Sequence, residues 1–392
     1  MTIPRLLCFL ALFVANYCQS AFGAELKSYG FGTSNIVRDT KRDRVYCTVP
    51  AQNSVAVIDS ESLQVLATIF TGSQPNALSE TPDGSQLYVG HLGSTAQGLA
   101  VLDLDALTVS RYIPTTSGVV DVAAGQDTVY TVEGSSIRAY STADGTVRAG
   151  TVSGIFVYGG CLALSPDSGT LYYYQTGLSP SSWYRINVTA WPGTTLQSGQ
   201  WGSNGQSLAL SADGQWITFV SGAPYYVQKL SASNPGVSQG QFDTGAYPRG
   251  ATYSPDGNTL FTVHTSGQID VFSANTYVPL TPISTTGQLN ELQVDRKGKV
   301  LFAGDGSSLH AFFIGPPTGG GPLDAEINHA VEIRWNSVSG YLYQVEWKTS
   351  ASANATWYSL GGQILGNGLT MSVYDTTRDS RAKFYRVRQV SP

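Results

Sequence analysis

The sequence predicts an all-β protein built of repeated four-stranded units, and three observations carry that expectation. An aromatic recurs at a fixed spacing, Tyr46, Tyr88, Tyr130 and Tyr172 standing 42 residues apart, with Thr218, Phe261 and Phe302 continuing the series less regularly. Each of these positions follows a turn bearing Asp or Gly: "RDRVY", "PDGSQLY", "GQDTVY", "PDSGTLY", "ADGQWIT", "PDGNTLF", "RKGKVLF". No stretch holds a helical period over a dozen residues.

The chain opens with MTIPRLLCFLALFVANYCQSAFGA, in which Arg5 precedes an apolar run from Leu6 to Val14 and small residues follow at Ala21, Gly23 and Ala24. That pattern reads as a cleaved signal peptide over residues 1–24. No later run approaches the roughly 18 apolar residues of a membrane span. The mature chain is therefore expected to be secreted, whether periplasmic, extracellular or on the cell surface. Charged residues are only 12% of the chain, about half the usual ~25%. The net charge is −5, and more negative once Arg5 is removed, which argues against a nucleic-acid or anionic-membrane partner.

Within each unit, the segment before the turn ("NALSE", "CLALS", "SLALS") and the one after it ("LYVG", "LYYY", "LFTV") read as a hairpin. A third strand ("VAVI", "LAVL", "IRAY", "WYRI", "VQKL", "IDVF") ends at Asp59, Asp103, Ser141, Asn187, Ser231 and Ser273, side chains that bond nearby backbone and start a turn. A fourth strand ("QVLATIF", "VSRYIPT") completes the unit. Four antiparallel strands repeating every 40–50 residues or so are the signature of a β-propeller. Seven units give a seven-bladed propeller over residues 25–314. The seventh unit stops after "LHAFFI" without a fourth strand, and "ELKSYGF" at Glu25–Phe31 is a spare one. Pairing the two would close the ring without leaving an open edge. Of the cysteines outside the leader, Cys47 falls on the second strand of unit one and Cys161 on the first strand of unit four. Three units apart, they lie beyond the ~7 Å that a disulfide allows.

The stretch "VAVIDSESLQVLATIFTGSQPNALSETPDGSQLYVGHL" resembles the YVTN-type repeat of seven-bladed propellers, a group that includes the bacterial lactonase-like propellers. The resemblance is strongest in units one, two and six, and His91 stands where that family usually has Asn. It implies a fold and leaves function open, because its residues form turns and core.

After a Gly/Pro linker at residues 315–322, residues 323–392 carry five alternating segments: "HAVEIRW", "YLYQVEWKTS", "ATWYSLGG", "TMSVYDT" and "KFYRVRQV". With the aromatics Trp335, Tyr343, Trp347, Trp357, Phe384 and Tyr385 as a prospective core, they resemble a fibronectin type III-like or immunoglobulin-like sandwich. Its Arg378, Arg381, Lys383, Arg386 and Arg388 are read as a wet strand face.

Chemistry is sparse in the sequence. The four His (His91, His264, His310, His329) have no metal-ligand spacing, so no metal and no cofactor are expected. Gly236-Val-Ser238-Gln-Gly240 matches G-x-S-x-G but lacks the strand-to-helix elbow that motif needs, and its expected place is a loop between third and fourth strands. Asp-Gly turns at Asp83, Asp213 and Asp256 recur with the units and shape hairpins. Three residues past each aromatic lie His91, Glu133, Gln175, His264 and Asp305, and the starts of first strands add Asn76, Gln206, Arg249 and Asn290. Projected from several blades, these nine are expected to ring a channel mouth, where propellers commonly hold ligands; a merely solvated rim predicts the same polarity. Aromatics crowd units four and five (Tyr172 to Tyr174, Trp183, Tyr184, Trp191, Trp201, Trp216, Tyr225, Tyr226), fit for packing between blades or for stacking on sugar rings. The expectation is a non-enzymatic binding protein for a protein or carbohydrate partner, with the tail as spacer or attachment module. A lactonase-like hydrolase working at the polar rim is the alternative, its catalytic residues unassigned. A redox-partner propeller lacks Cys, haem or metal signatures.

Overall fold

The computed structural model describes residues 22–315, 330–352, 354–360, 362–376 and 383–391. Most of the proposed signal peptide and of the linker lie outside the described residues. The chain divides into two compact units, Met1–Gly319 and Gly320–Pro392.

In the first unit the described residues form seven four-stranded antiparallel sheets. Their first strands are Ile36–Arg38, Pro75–Glu80, Val119–Ala124, Cys161–Leu164, Ser203–Leu210, Pro248–Tyr253 and Glu291–Val294. Six sheets are built from consecutive strands; the seventh takes its outer strand, Glu25–Tyr29, from the beginning of the chain. That strand pairs with Leu309–Phe313, Glu25 opposite Phe312 and Tyr29 opposite Leu309. The sheets close on themselves through seven apolar clusters, one at each interface. Tyr46, Val55 and Val57 of sheet one meet Leu87, Val89 and Leu102 of sheet two. The cycle ends where Phe302, Leu309 and Tyr29 of sheet seven meet Ile36, Val45 and Ile58 of sheet one. The fold is an all-β propeller.

The repeat has a physical basis at both ends of the hairpin. In "SADGQW" Ser211 donates to Asp213 at 2.6 Å, Asp213 accepts the Gln215 amide at 3.0 Å, and Ser211 Oγ accepts the Trp216 amide at 2.9 Å, with Gly214 at φ +69°. The same bracket forms at Thr81/Asp83 and Ser254/Asp256. These aspartates are used up in turn geometry. The periodic tyrosines tie neighbouring sheets: Tyr130 donates to the Val188 carbonyl and Tyr172 to that of Ala232, each just past the third strand of the next sheet. A spacing of one sheet is thus the reach of one phenol.

Cys47 and Cys161 are both free thiols. The G-x-S-x-G match does not lie in a loop: it falls inside the fourth strand of sheet five, Asn234–Asp243. The tail has a two-stranded sheet, Ala330–Asn336 with Thr370–Thr376, and a second sheet centred on Leu342–Lys348. Its described residues hold six strands where five are expected, because Ile364–Leu365 is too short to show an alternation. Glu346 accepts hydrogen bonds from Arg386 and Arg388, and Asp375 from Lys383, so these cations are spent within the tail.

Candidate functional site

A channel of about 890 Å³ is walled by the first strands of all seven sheets. Its polar side chains follow from a problem built into the fold. First strands are the inner edges of their sheets, and edge amides and carbonyls need partners. Side chains of the neighbouring sheet supply them: Asn35 Oδ1 accepts the Leu78 amide, Asn76 donates to the Val120 carbonyl at 2.7 Å, Ser79 accepts the Ala124 amide, and Asp121 Oδ2 accepts the Leu162 amide at 2.7 Å.

Strand register shows which residues share a level. Asp121 pairs with Val132, Cys161 with Tyr174, Ser207 with Val220, Gly250 with Val263 and Glu291 with Gly304. In each case the partner stands two residues past the repeat position, so these five positions, four with side chains and Gly250 without one, belong to one tier of the ring. All five residues line the channel.

The Glu291 carboxyl makes no hydrogen bond within the described residues, whereas that of Asp121 accepts two, from the Val122 and Leu162 amides. Enclosure by the ring pushes the Glu291 carboxyl up to about 8, and the charge of Asp121 adds to the rise. Enclosure likewise pushes Asp121 up to about 7, against the two amides that favour its charged form. Burial raises the Cys161 thiol, and Asp121 and Glu291 raise it further. Near one end of the channel Glu80 accepts from the Thr40 amide and hydroxyl, and burial carries it to about 7. Glu80, Asp121 and Glu291 are the charged residues of this wall, and an adjoining cavity that shares Glu80, Ser79 and Gln293 with it adds Arg38 at that end. Chemically, the tier is two carboxyl groups with a shared excess of protons or an unmet need for positive charge. No group of three or more His, Cys, Asp or Glu suited to a metal ion occurs among the described residues.

The nine residues expected at the rim divide. Asn76, Gln206 and Asn290 line the channel. Arg249 does not line the channel and donates to Asn290 Oδ1 at 2.8 Å. His91, Glu133, Gln175, His264 and Asp305 do not line it. His91 is fully buried beside Thr71, and burial lowers its pKa. Glu133 accepts from Thr131, Tyr140 and Thr116. Gln175 accepts the Ser182 amide and donates to the Phe156 carbonyl. Asp305 caps its own turn through the Ser307 and Ser308 amides. His264 faces Asp270. The physical reason is radial: a second strand sits one interstrand spacing, ~4.8 Å, farther from the axis, so its end braces a hairpin and does not reach the channel. Most of the aromatics of sheets four and five pack between sheets, Tyr173, Tyr174 and Trp183 being buried, while Tyr225, Phe156 and Tyr158 are exposed.

Comparison with known proteins supports the architecture. The chain is similar in structure to hydrazine synthase of Kuenenia stuttgartiensis, with a TM-score of 0.60 and 15% identity, over 74% of this chain and 98% of that one. It is also similar to the β-propeller domain of Cps50 (Swd1) of Myceliophteria thermophila, with a TM-score of 0.63 and 10% identity, over 74% and 99% of the two chains. At these identities the likeness is one of fold. No protein-family model matches the sequence, and no curated protein matches it.

Proposed function

We propose that the protein is an exported binding protein, a seven-bladed propeller whose channel takes up a small ligand bearing an ammonium group. The observation that carries this reading is Glu291: a carboxyl without a hydrogen-bond partner, on one tier with Asp121, in a channel lined by three acidic residues, with Arg38 entering only the adjoining cavity at the Glu80 end. An ammonium group between the two carboxylates would relieve their repulsion and satisfy Glu291, which is what an enclosed charge requires. Asn76, Gln206 and Asn290 supply amide groups to the remainder of the ligand. Export rests on the leader-like residues 1–24, and kinship with YVTN-type propellers on the repeat. The tail, with its two small sheets, is read as a fibronectin type III-like spacer or attachment module.

A second reading, binding of a neutral sugar, is favoured by the exposed rings of Phe156, Tyr158 and Tyr225. Thermal shifts of the mature protein at pH 8.5 with putrescine, choline and maltose, at equal ionic strength, separate the two, since a ligand that binds only the folded state must stabilise it. Stabilisation by an amine that disappears in Glu291→Gln supports the acidic channel. Stabilisation by maltose alone, lost on substitution of Tyr158 or Tyr225, would replace it with the sugar reading.

A further inference from the structure

Outside the channel, the hairpin joining the second and third strands of sheet six, "HTSGQID", brings together an exposed hydroxyl, an imidazole and a carboxylate. Ser266 is exposed in the turn and its Oγ lies 2.9 Å from His264 Nδ1. His264 is 3% exposed, and its Nε2 lies 3.1 Å from Asp270 Oδ2. That contact is within ion-pair range but off the line of a hydrogen bond; such contacts in catalytic relays commonly tighten only around a reacting substrate.

Asp270 is held from two further sides, Oδ2 accepting the Gly245 amide at 3.0 Å and Oδ1 the Gln268 side chain at 2.8 Å. Burial pushes its carboxyl up, but His264, the Gly245 amide and Gln268 outweigh that and hold it below the usual carboxylate range. An ionised carboxylate only accepts, so the nitrogen facing it, Nε2, carries the imidazole proton and Nδ1 presents its lone pair to Ser266. The ring lies directly over Gly245, where a Cβ would stand 2.1 Å from His264 Cε1. The amides of Ser266 and Gly267 donate to no group in the described protein; a Cβ on Gly267, at φ +77°, would meet only the Gly287 carbonyl oxygen at 3.5 Å and the Thr285 carbonyl and hydroxyl oxygens at 3.8 and 3.9 Å.

We propose that Ser266, His264 and Asp270 form a hydrolytic relay acting on small esters, with the Ser266 and Gly267 amides receiving the oxyanion. Ser266 Oγ attacks the ester carbonyl carbon while its proton passes to His264 Nδ1, and the carbonyl π electrons move onto oxygen. The tetrahedral intermediate collapses, the C–O bond to the alcohol breaks, and the departing alkoxide takes the proton from His264. Water then loses a proton to His264 and attacks the acyl-serine. Expulsion of Ser266 Oγ, which recovers that proton, releases the carboxylic acid. Asp270 does not change its protonation; it fixes the tautomer and steadies the imidazolium. None of the three residues lines the channel, so this activity goes beyond the binding reading and is independent of it.

The test uses the mature protein with p-nitrophenyl acetate and a fluorophosphonate probe. The relay predicts a probe adduct on Ser266 by peptide mass spectrometry. It also predicts an esterase rate that Ser266→Ala lowers by about 100-fold or more, the usual worth of a positioned base and nucleophile, with the melting temperature unchanged because Ser266 is exposed. Ser266→Cys should alkylate with iodoacetamide at pH 7 faster than free cysteine, His264 drawing off its proton. Gly245→Ala should slow both reactions by displacing the ring. A rate in wild type equal to that of Ser266→Ala, an adduct on another residue, or alkylation of Ser266→Cys at the free-cysteine rate would reduce the three residues to a hairpin brace and overturn the proposal.

Discussion

Replacing Glu291 with Gln should change the pH dependence of stability in a direction fixed by the channel. The ordinary glutamate value of 4.5 rises to about 8 in the folded protein, so the folded state holds this proton more tightly than the unfolded one. A raised value means stability that is fully present below about pH 4.5 and lost as the pH climbs through about 8. Each unit is worth about 1.4 kcal/mol, which sets an upper bound of roughly 5 kcal/mol for the whole excursion. Glu291 is only half-buried and shares part of its rise with Asp121, so solvent in the channel should leave on the order of 1–2 kcal/mol. At roughly 2–4 °C per kcal/mol for a domain of this order of size, wild type should lose about 2–8 °C more than Glu291→Gln between pH 5 and pH 9. Differential scanning calorimetry over that range reads the difference directly. Parallel melting curves for the two proteins would refute the enclosure of Glu291, and a steeper fall in the variant would reverse its sign.

Other consequences are equally direct. Deleting Glu25–Tyr29 removes the outer strand of sheet seven and Tyr29 from the cluster joining sheets seven and one; light scattering should show self-association through the bared edge of Leu309–Phe313. Gly250→Ala places a Cβ 2.4 Å from the Asn290 carbonyl oxygen and should cost about 1–3 kcal/mol of overpacking, measured by urea denaturation. With Cys47 buried and Cys161 enclosed in the channel wall, both held as thiols by burial, Ellman's reagent should find almost no reactive thiol in the folded mature protein and two in denaturant.

The legible part of the fold is the part governed by local chemistry. The Ser/Thr-x-Asp bracket and the tyrosine that follows it are short, repeated and mechanically tied to one turn and one seam, so their spacing counts the sheets. The missing fourth strand after Ile314 leaves an unpaired edge that "ELKSY" fills. Ile364–Leu365 was not legible, since two residues have no period. The channel tier stayed hidden for a different reason. Register slips by one residue between Pro75 and Ala77, Val119 and Asp121, Gly205 and Ser207, and Pro248 and Gly250. These bulges shift the strand starts, and the turns that follow differ in length, Ala124 pairing with Val129 but Val294 with Leu301, so Asp121 and Glu291 stand at different distances from their repeat aromatics although they share a tier. Counting from the aromatic instead selected His91, Glu133 and Gln175, which stand at equal sequence offsets but one strand too far from the axis. A usable signal was present: "VVDVAA" and "NELQV" each put an acid inside an apolar strand, where a charge needs a reason.

The central claim, a cation site made by Glu291 and Asp121, is tested most directly by calorimetric titration of putrescine into the mature protein at pH 8.5 and pH 5.5, in two buffers of different ionisation enthalpy. With carboxyls near 8 and 7, binding should be present at pH 8.5, much weaker at pH 5.5, accompanied by proton release near pH 7.5, and absent in Glu291→Gln. Equal affinity at both pH values, or binding undiminished in Glu291→Gln, would contradict it.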